Sequence, residues 1–318
     1  MANETALMST ASSVLEDVVT SNINNSDDYV LATIWRYGWP PLCMMGLVGN
    51  TLVLLVLRRD GLVRTSANVY LSALAVGDSL VLMVASVAIY PVNASTWFIV
   101  AFTVERCVVV RFPLLKLRLS TPRNAGLCCG SLLVLAFVKN IDLFFVQDVV
   151  VDTDSRDTIC TVQLRYQDYM NNYKSMINFV TSCPIPIVIV IVCNWAIIRT
   201  LRRDLVQTTA RDSIVRHTTV MCLAVSFAFI VCVAPVHVFY VTIPNWPMSL
   251  LDQYLVLRSL LLLRYANHAV NFFLYSLTGA HFRCELVAFF LRCFNRGRVT
   301  TGCVRRMTSR VTGSFHYR

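Results

Sequence analysis

Seven long apolar windows constrain this chain more than any other feature. They fall near residues 39–57, 69–90, 94–110, 125–146, 176–198, 218–241 and 255–277. A helix needs about 20 residues to cross a hydrocarbon core of about 30 Å. A backbone surrounded by lipid must satisfy its own hydrogen bonds, so each window is expected to be helical. With 56% hydrophobic and 14% charged residues, the chain is too apolar for an ordinary soluble domain. The expected fold is an all-α membrane protein, a bundle of seven transmembrane helices. No internal repeat of a solenoid or inverted-transporter type is visible.

Charge sets the topology. Residues 1–35 hold Glu4, Glu16, Asp17, Asp27 and Asp28 and no Lys or Arg. Arg58, Arg59 and Arg64 follow the first window, and Arg111, Lys116, Arg118 and Arg123 precede the fourth. The segment before the fifth carries Asp148, Asp152, Asp154, Asp157 and Asp168. Arg199, Arg202, Arg203, Arg211 and Arg216 precede the sixth, and an Arg-rich tail follows the seventh. Basic residues mark the cytoplasmic side, so the N-terminus is expected outside and the C-terminus inside. The formal charge of +10 therefore points to a lipid surface and not to nucleic acid. Four regions follow: an outside tail over 1–35, the bundle over 36–277, an amphipathic membrane-surface helix over 278–295, and a basic cytoplasmic tail over 296–318.

The same rule resolves the stretch AIYPVNASTWFIVAFTVERC, residues 88–107, which has no obvious loop. Arg64 and Arg111 both lie in inside-type segments, so two spans must fit between them, the second and third pinched together. Met1 to Thr33 has neither a basic n-region nor an apolar h-region, so the first span is expected to serve as the insertion signal. Asn3 and Asn24 head glycosylation sequons in the outside tail. Of twelve cysteines, only Cys160 falls clearly in an outside loop, with no evident outside partner. No metal spacing, hydrolase triad or carboxylate pair is present, which argues against an enzyme.

Polar groups inside spans are costly and mark the bundle interior. Asn50 lies in the first span and Asp78 in the second. In the seventh, Arg264, Asn267, His268, Asn271 and Tyr275 share one helical face. The alternative is a polar seam that only joins helices. Pro186 and Pro235 are expected to kink the fifth and sixth spans. Lys139 and Asp142 are spaced to pair with each other.

In order along the chain, GNTLV with Asn50, LAVGD with Asp78, ERC at residues 105–107, Pro186 eight residues before Asn194, CVAP with Pro235, NFFLY with Asn271 and Tyr275, and then TGAHFRCELVAFFLRCF resemble the rhodopsin-like (class A) G-protein-coupled receptors. NHAVNFFLYSLTG is most similar to invertebrate FMRFamide-like neuropeptide receptors. The resemblance implies that Arg106 engages a heterotrimeric G protein when the sixth span moves, with Glu105 restraining it at rest. The resemblance places Asn194, Pro235, Asn271 and Tyr275 in the same activation machinery. It also implies a sodium and water network of Asn50, Asp78, Ser95, Asn267 and Asn271. Ligand candidates are Asn178, His237, Tyr240, Arg258 and Arg264, for an extracellular ligand of peptide type that the acidic outside segments would steer. Cys293 and Cys303 are lipidation candidates. Thr300, Thr301, Thr308, Ser309, Thr312 and Ser314 are candidates for receptor kinases, and so for arrestin.

The sequence also departs from that pattern. Val233 stands where the family usually has Trp, Phe272 where it has Pro, and the fourth span lacks its Trp. The third span is short: Asn93 lies 13 residues before Arg106, about 20 Å of helix. An apparent deletion between the second and third spans would remove the family's outside loop and the cysteine partner of Cys160. Three readings stay open. They are a plasma-membrane receptor for a neuropeptide, a receptor for a small molecule, and a truncated non-signalling isoform retained in the endoplasmic reticulum.

Overall fold

The computed structural model describes residues 25–58, 65–85, 94–151, 158–203, 210–242 and 248–294. Its helices are α1 (Asn25–Leu57), α2 (Ser66–Ala85), α3 (Ala94–Arg111), α4 (Pro113–Leu119), α5 (Pro122–Asn140), α6 (Leu143–Val146), α7 (Ser175–Ser182), α8 (Pro184–Arg203), α9 (Ala210–Thr242), α10 (Leu250–Ala269), α11 (Asn271–Thr278) and α12 (Ala280–Phe294). Among the described residues the only strands are the hairpin of Gln147–Val151 with Thr158–Val162. The architecture is an all-α bundle, as expected.

Among the described residues, five helical stretches are long and apolar enough to cross a membrane: Arg36–Leu57, Ser66–Met83, Pro122–Val146, Tyr169–Arg202 and Arg216–Thr242. The two that are not, α3 and α10, carry Glu105, Arg106 and Arg111, and Asp252, Arg258 and Arg264. Their charge is what lowers their hydropathy, and they hold most of the polar groups singled out above. Large apolar side chains point outward all round the bundle, among them Leu127, Val134, Phe144 and Val188. Helices apolar on every face suit a lipid solvent.

Local chemistry explains several boundaries. Thr121 caps α5 by accepting the Asn124 N–H at 3.2 Å, and Pro122 takes the first helical position, where an N–H is not needed. Ser249 caps α10 by accepting the Asp252 N–H at 3.1 Å. Between α11 and α12 the chain turns at Gly279, where an added Cβ would lie 2.7 Å from the Tyr275 carbonyl oxygen. Only glycine fits that approach.

Some expectations shift. The first helix starts at Asn25, ahead of the boundary expected at residue 36. The fifth span breaks at Cys183 and not at Pro186. A residue before proline is sterically disfavoured in the α region, and Cys183 precedes Pro184 with φ −132° and ψ −74°. Pro186 then sits in the first turn of α8, where its missing N–H costs little. Pro235 lies inside the continuous helix α9. Lys139 and Asp142 do not pair. Asp142 accepts from Lys174 Nζ at 2.6 Å and Tyr169 at 2.8 Å, while Lys139 donates to Thr181 at 2.8 Å.

The main core gathers α2, α3 and α9 with parts of α1, α11 and α12, around Leu74, Phe98, Phe102, Phe229 and Tyr275. A smaller cluster of Val236, Phe239, Tyr254 and Leu257 joins α9 to α10. Asn3, Asn24, Cys303, the tail phosphorylation candidates and the 86–93 junction lie outside the described residues, as do the side chains of Cys160 and Cys293.

Candidate functional site

Two polar knots lie inside the bundle, joined by the apolar face of α3. The upper one centres on Asp78 of α2, whose side chain is fully buried. His268 Nδ1 lies 2.7 Å from Asp78 Oδ1, and Asn271 donates to Oδ2 at 2.6 Å. Ser95, on the first turn of α3, has its Oγ 3.3 Å from the same His268 nitrogen. The Asn50 amide donates to the His268 carbonyl at 3.0 Å, which brings in α1. Asn267 is buried close by in sequence, but its Nδ2 has no hydrogen-bond partner, and neither has Asn50 Oδ1.

The close approach of α1 fixes this knot. An added Cβ at Gly46 would lie 2.4 Å from Leu82 Cδ1 and 3.1 Å from Ala269 Cα. The seventh span stays nearly continuous, because Val270 N–H bonds Ala266 O at 3.0 Å and Leu274 N–H bonds Val270 O at 3.1 Å. Phe272 permits this, since it crowds no carbonyl of the preceding turn as a proline ring would.

The level of Ser95 also measures α3. Eleven residues separate it from Arg106, about 16 Å of helix rise. The described part of α3 runs from Ala94 to Arg111, with Ser95 level with the Asp78 knot.

The lower knot sits at the inner end of α3. Glu105 Oε1 accepts from Ser66 Oγ at 2.6 Å and from Ser120 Oγ, while Oε2 accepts from Arg106 Nε at 2.6 Å and also pairs with Nη2. Arg106 Nη2 reaches Ser66 Oγ at 3.3 Å, and the guanidinium carbon lies 5.8 Å from the Phe102 ring centroid. Both charged side chains are at least nine-tenths buried. One turn higher, Thr103 meets Ser226 of α9 at 3.1 Å. The arrangement is a sheltered ion pair next to a contact with the sixth span.

The ligand candidates divide. Arg264 of α10 lies within electrostatic reach of His237 on α9 and Cys183 at the α7–α8 break. His237 stacks at 5.7 Å on Phe179, next to Asn178, whose Oδ1 has no partner. Arg258 instead bonds Tyr254 on its own helix and lies over that ring, at the α9–α10 cluster that Tyr240 also joins. Asn194 Oδ1 on α8 is buried without a partner. Tyr275 is buried against Phe282 with ring centroids 5.9 Å apart.

Sequence reasoning missed four participants. His268 is visible on the polar face of its span, yet nothing in the spacing assigns it to the Asp78 carboxylate. Ser66 and Ser120 lie at helix boundaries where serine usually caps, so they give no signal of a shared partner. Lys174 looks like a loop cation, but it is 2% exposed and pairs inward.

A family model described as 7 transmembrane receptor (rhodopsin family) matches residues 83–275, more than half of the chain. The match includes Glu105, Arg106, Pro235, His268, Asn271 and Tyr275, and begins after Asn50 and Asp78.

Proposed function

The chain belongs to the rhodopsin family of 7-transmembrane receptors, and on that premise we propose that it is a plasma-membrane receptor, outside at its N-terminus, that couples an extracellular peptide to a heterotrimeric G protein. The observation that carries this reading is the lower knot. Arg106 is held by Glu105, Ser66 and Ser120 at the inner end of a helix that touches α9 through Thr103 and Ser226. A buried ion pair carries a desolvation penalty that can match its attraction, so it contributes little net stability and suits a switch. Moving α9 away from α3 would free the Arg106 face for a partner on the cytoplasmic side. Arrestin and receptor kinases would act on the tail after that step.

Arg264, His237 and Phe179 support a ligand chamber between α7, α9 and α10. A chamber lined by a cation and aromatic rings suits a peptide that carries an acidic or aromatic side chain. The test is a screen of amidated peptides on cells that carry the receptor and a promiscuous G-protein α-subunit. Arg106→Ala should abolish any response at unchanged surface level. Responses confined to small molecules would remove the peptide, and a response intact in Arg106→Ala would remove the coupling assignment.

The close spacing of the second and third apolar windows in the sequence supports a second reading, a non-signalling form held in the endoplasmic reticulum. Surface labelling separates the two, because strong plasma-membrane signal with an agonist response excludes retention.

A further inference from the structure

The resemblance in sequence brings a sodium ion to Asp78, Ser95, Asn267 and Asn271. A small hard cation of this kind is held by oxygen atoms. The residues around Asp78 do not fit it. His268 Nδ1 lies 2.7 Å from Asp78 Oδ1 and 3.3 Å from Ser95 Oγ, which is the place from which an ion would ligate both. With Asp78 ionised, the carboxylate only accepts, and the His268 tautomer that carries its hydrogen on Nδ1 directs it at Oδ1. Oδ2 receives the Asn271 amide hydrogen at 2.6 Å. Each carboxylate oxygen thus faces an N–H, and a ring stands where oxygen ligands would have to converge.

The backbone holds that ring in place. Asn50 bonds the His268 carbonyl at 3.0 Å, and the next residue, Ala269, is pressed against the glycine face of α1 at Gly46. His268 is 7% exposed, so its side chain has little open space to withdraw into. A buried carboxylate must be neutralised or hydrogen-bonded by something. Here the chain supplies that group itself.

We propose that His268 replaces sodium at Asp78: the imidazole N–H occupies the ligand position of the carboxylate, and the pocket does not take up the ion. The receptor is then insensitive to sodium at this site, and residue 268 is what makes it so.

The test needs no agonist, so its outcome is separate from that of the ligand and coupling assignments. The full chain in detergent micelles is melted in sodium chloride and in choline chloride at equal ionic strength. The wild-type midpoint should be the same in both salts. His268→Ser, which puts an oxygen in place of the ring, should gain a sodium-specific rise of about 2–4 °C, the size expected for a ligand at tenfold its Kd. His268→Asn is the second variant, and adding Asp78→Asn to either should abolish the gain. A sodium-specific rise in the wild type that Asp78→Asn removes overturns the proposal. So do folded His268→Ser and His268→Asn proteins that both ignore sodium. If neither variant folds, sodium NMR line broadening by the wild type, lost in Asp78→Asn, gives the overturning result, and its absence upholds the proposal.

Discussion

Replacing Glu105 by Gln perturbs the lower knot with almost no change of shape. Glu105 receives hydrogens from Ser66, Ser120 and two nitrogens of Arg106, in a setting where its side chain is 10% exposed and that of Arg106 7%. A hydrogen bond to a charged group contributes about 1.5–3 kcal/mol. Gln keeps one acceptor oxygen, while its NH2 faces groups that are themselves donors. One or two of these bonds are lost, and Arg106 regains part of the difference when it reaches water. A net loss of about 2–3 kcal/mol of resting-state restraint is a reasonable magnitude. Since about 1.4 kcal/mol is a factor of ten in a two-state population, agonist-free signalling should rise at least about tenfold. The assay is basal guanine-nucleotide exchange on membranes, normalised to surface receptor. Ser120→Ala removes a single partner and should give a smaller rise of about threefold to tenfold. Unchanged exchange in Glu105→Gln at equal surface level would refute the assignment of this pair as a restraint.

Two further predictions concern stability. Gly46→Ala should destabilise the purified protein by about 1–3 kcal/mol through overpacking, because Leu82 can turn away from the new methyl but the Ala269 backbone cannot. Gly126→Ala, with nothing within 4 Å of its added Cβ, should be neutral or stabilising by up to about 1 kcal/mol, and thermal melting of the two variants side by side checks both. Asp142→Asn leaves the buried Lys174 ammonium without its counter-ion and should cost about 2–4 kcal/mol; adding Lys174→Met should recover part of the loss in the same melt.

Where the sequence was legible, a single helix carried the signal. The polar face of Arg264, Asn267, His268, Asn271 and Tyr275 follows from the helical period, and the structure places Asn267, His268, Asn271 and Tyr275 in the buried interior. Contacts between helices were harder to read, because a transmembrane helix is apolar on all sides and hydropathy does not say which face is inward. Thus spacing pairs Asp142 with its sequence neighbour Lys139, while the folded chain pairs it with Lys174, 32 residues away. The fifth span lies where the sequence puts it, but its break falls at Cys183 and not at Pro186, for a local reason. Of two prolines, Pro184 dictates the break through the residue before it, while Pro186 looked more prominent through its family match. The sodium network was a transfer of residue types, and it passed over the one side chain, His268, that reaches the carboxylate.

The pairing of Asp78 with His268 spans 190 positions of the chain. A ribosome adding about 5–20 residues per second needs roughly 10–40 s to cover that interval. Throughout it, α2 is already made, and its carboxylate lacks the partner that neutralises it in the finished bundle. The nascent protein must therefore keep Asp78 protonated, hydrated or sheltered by an insertion factor until the last span arrives. Biogenesis of this receptor is thereby tied to the timing of one late-emerging helix. Slowing translation before α10 should increase the fraction discarded by quality control far more than the same delay after it.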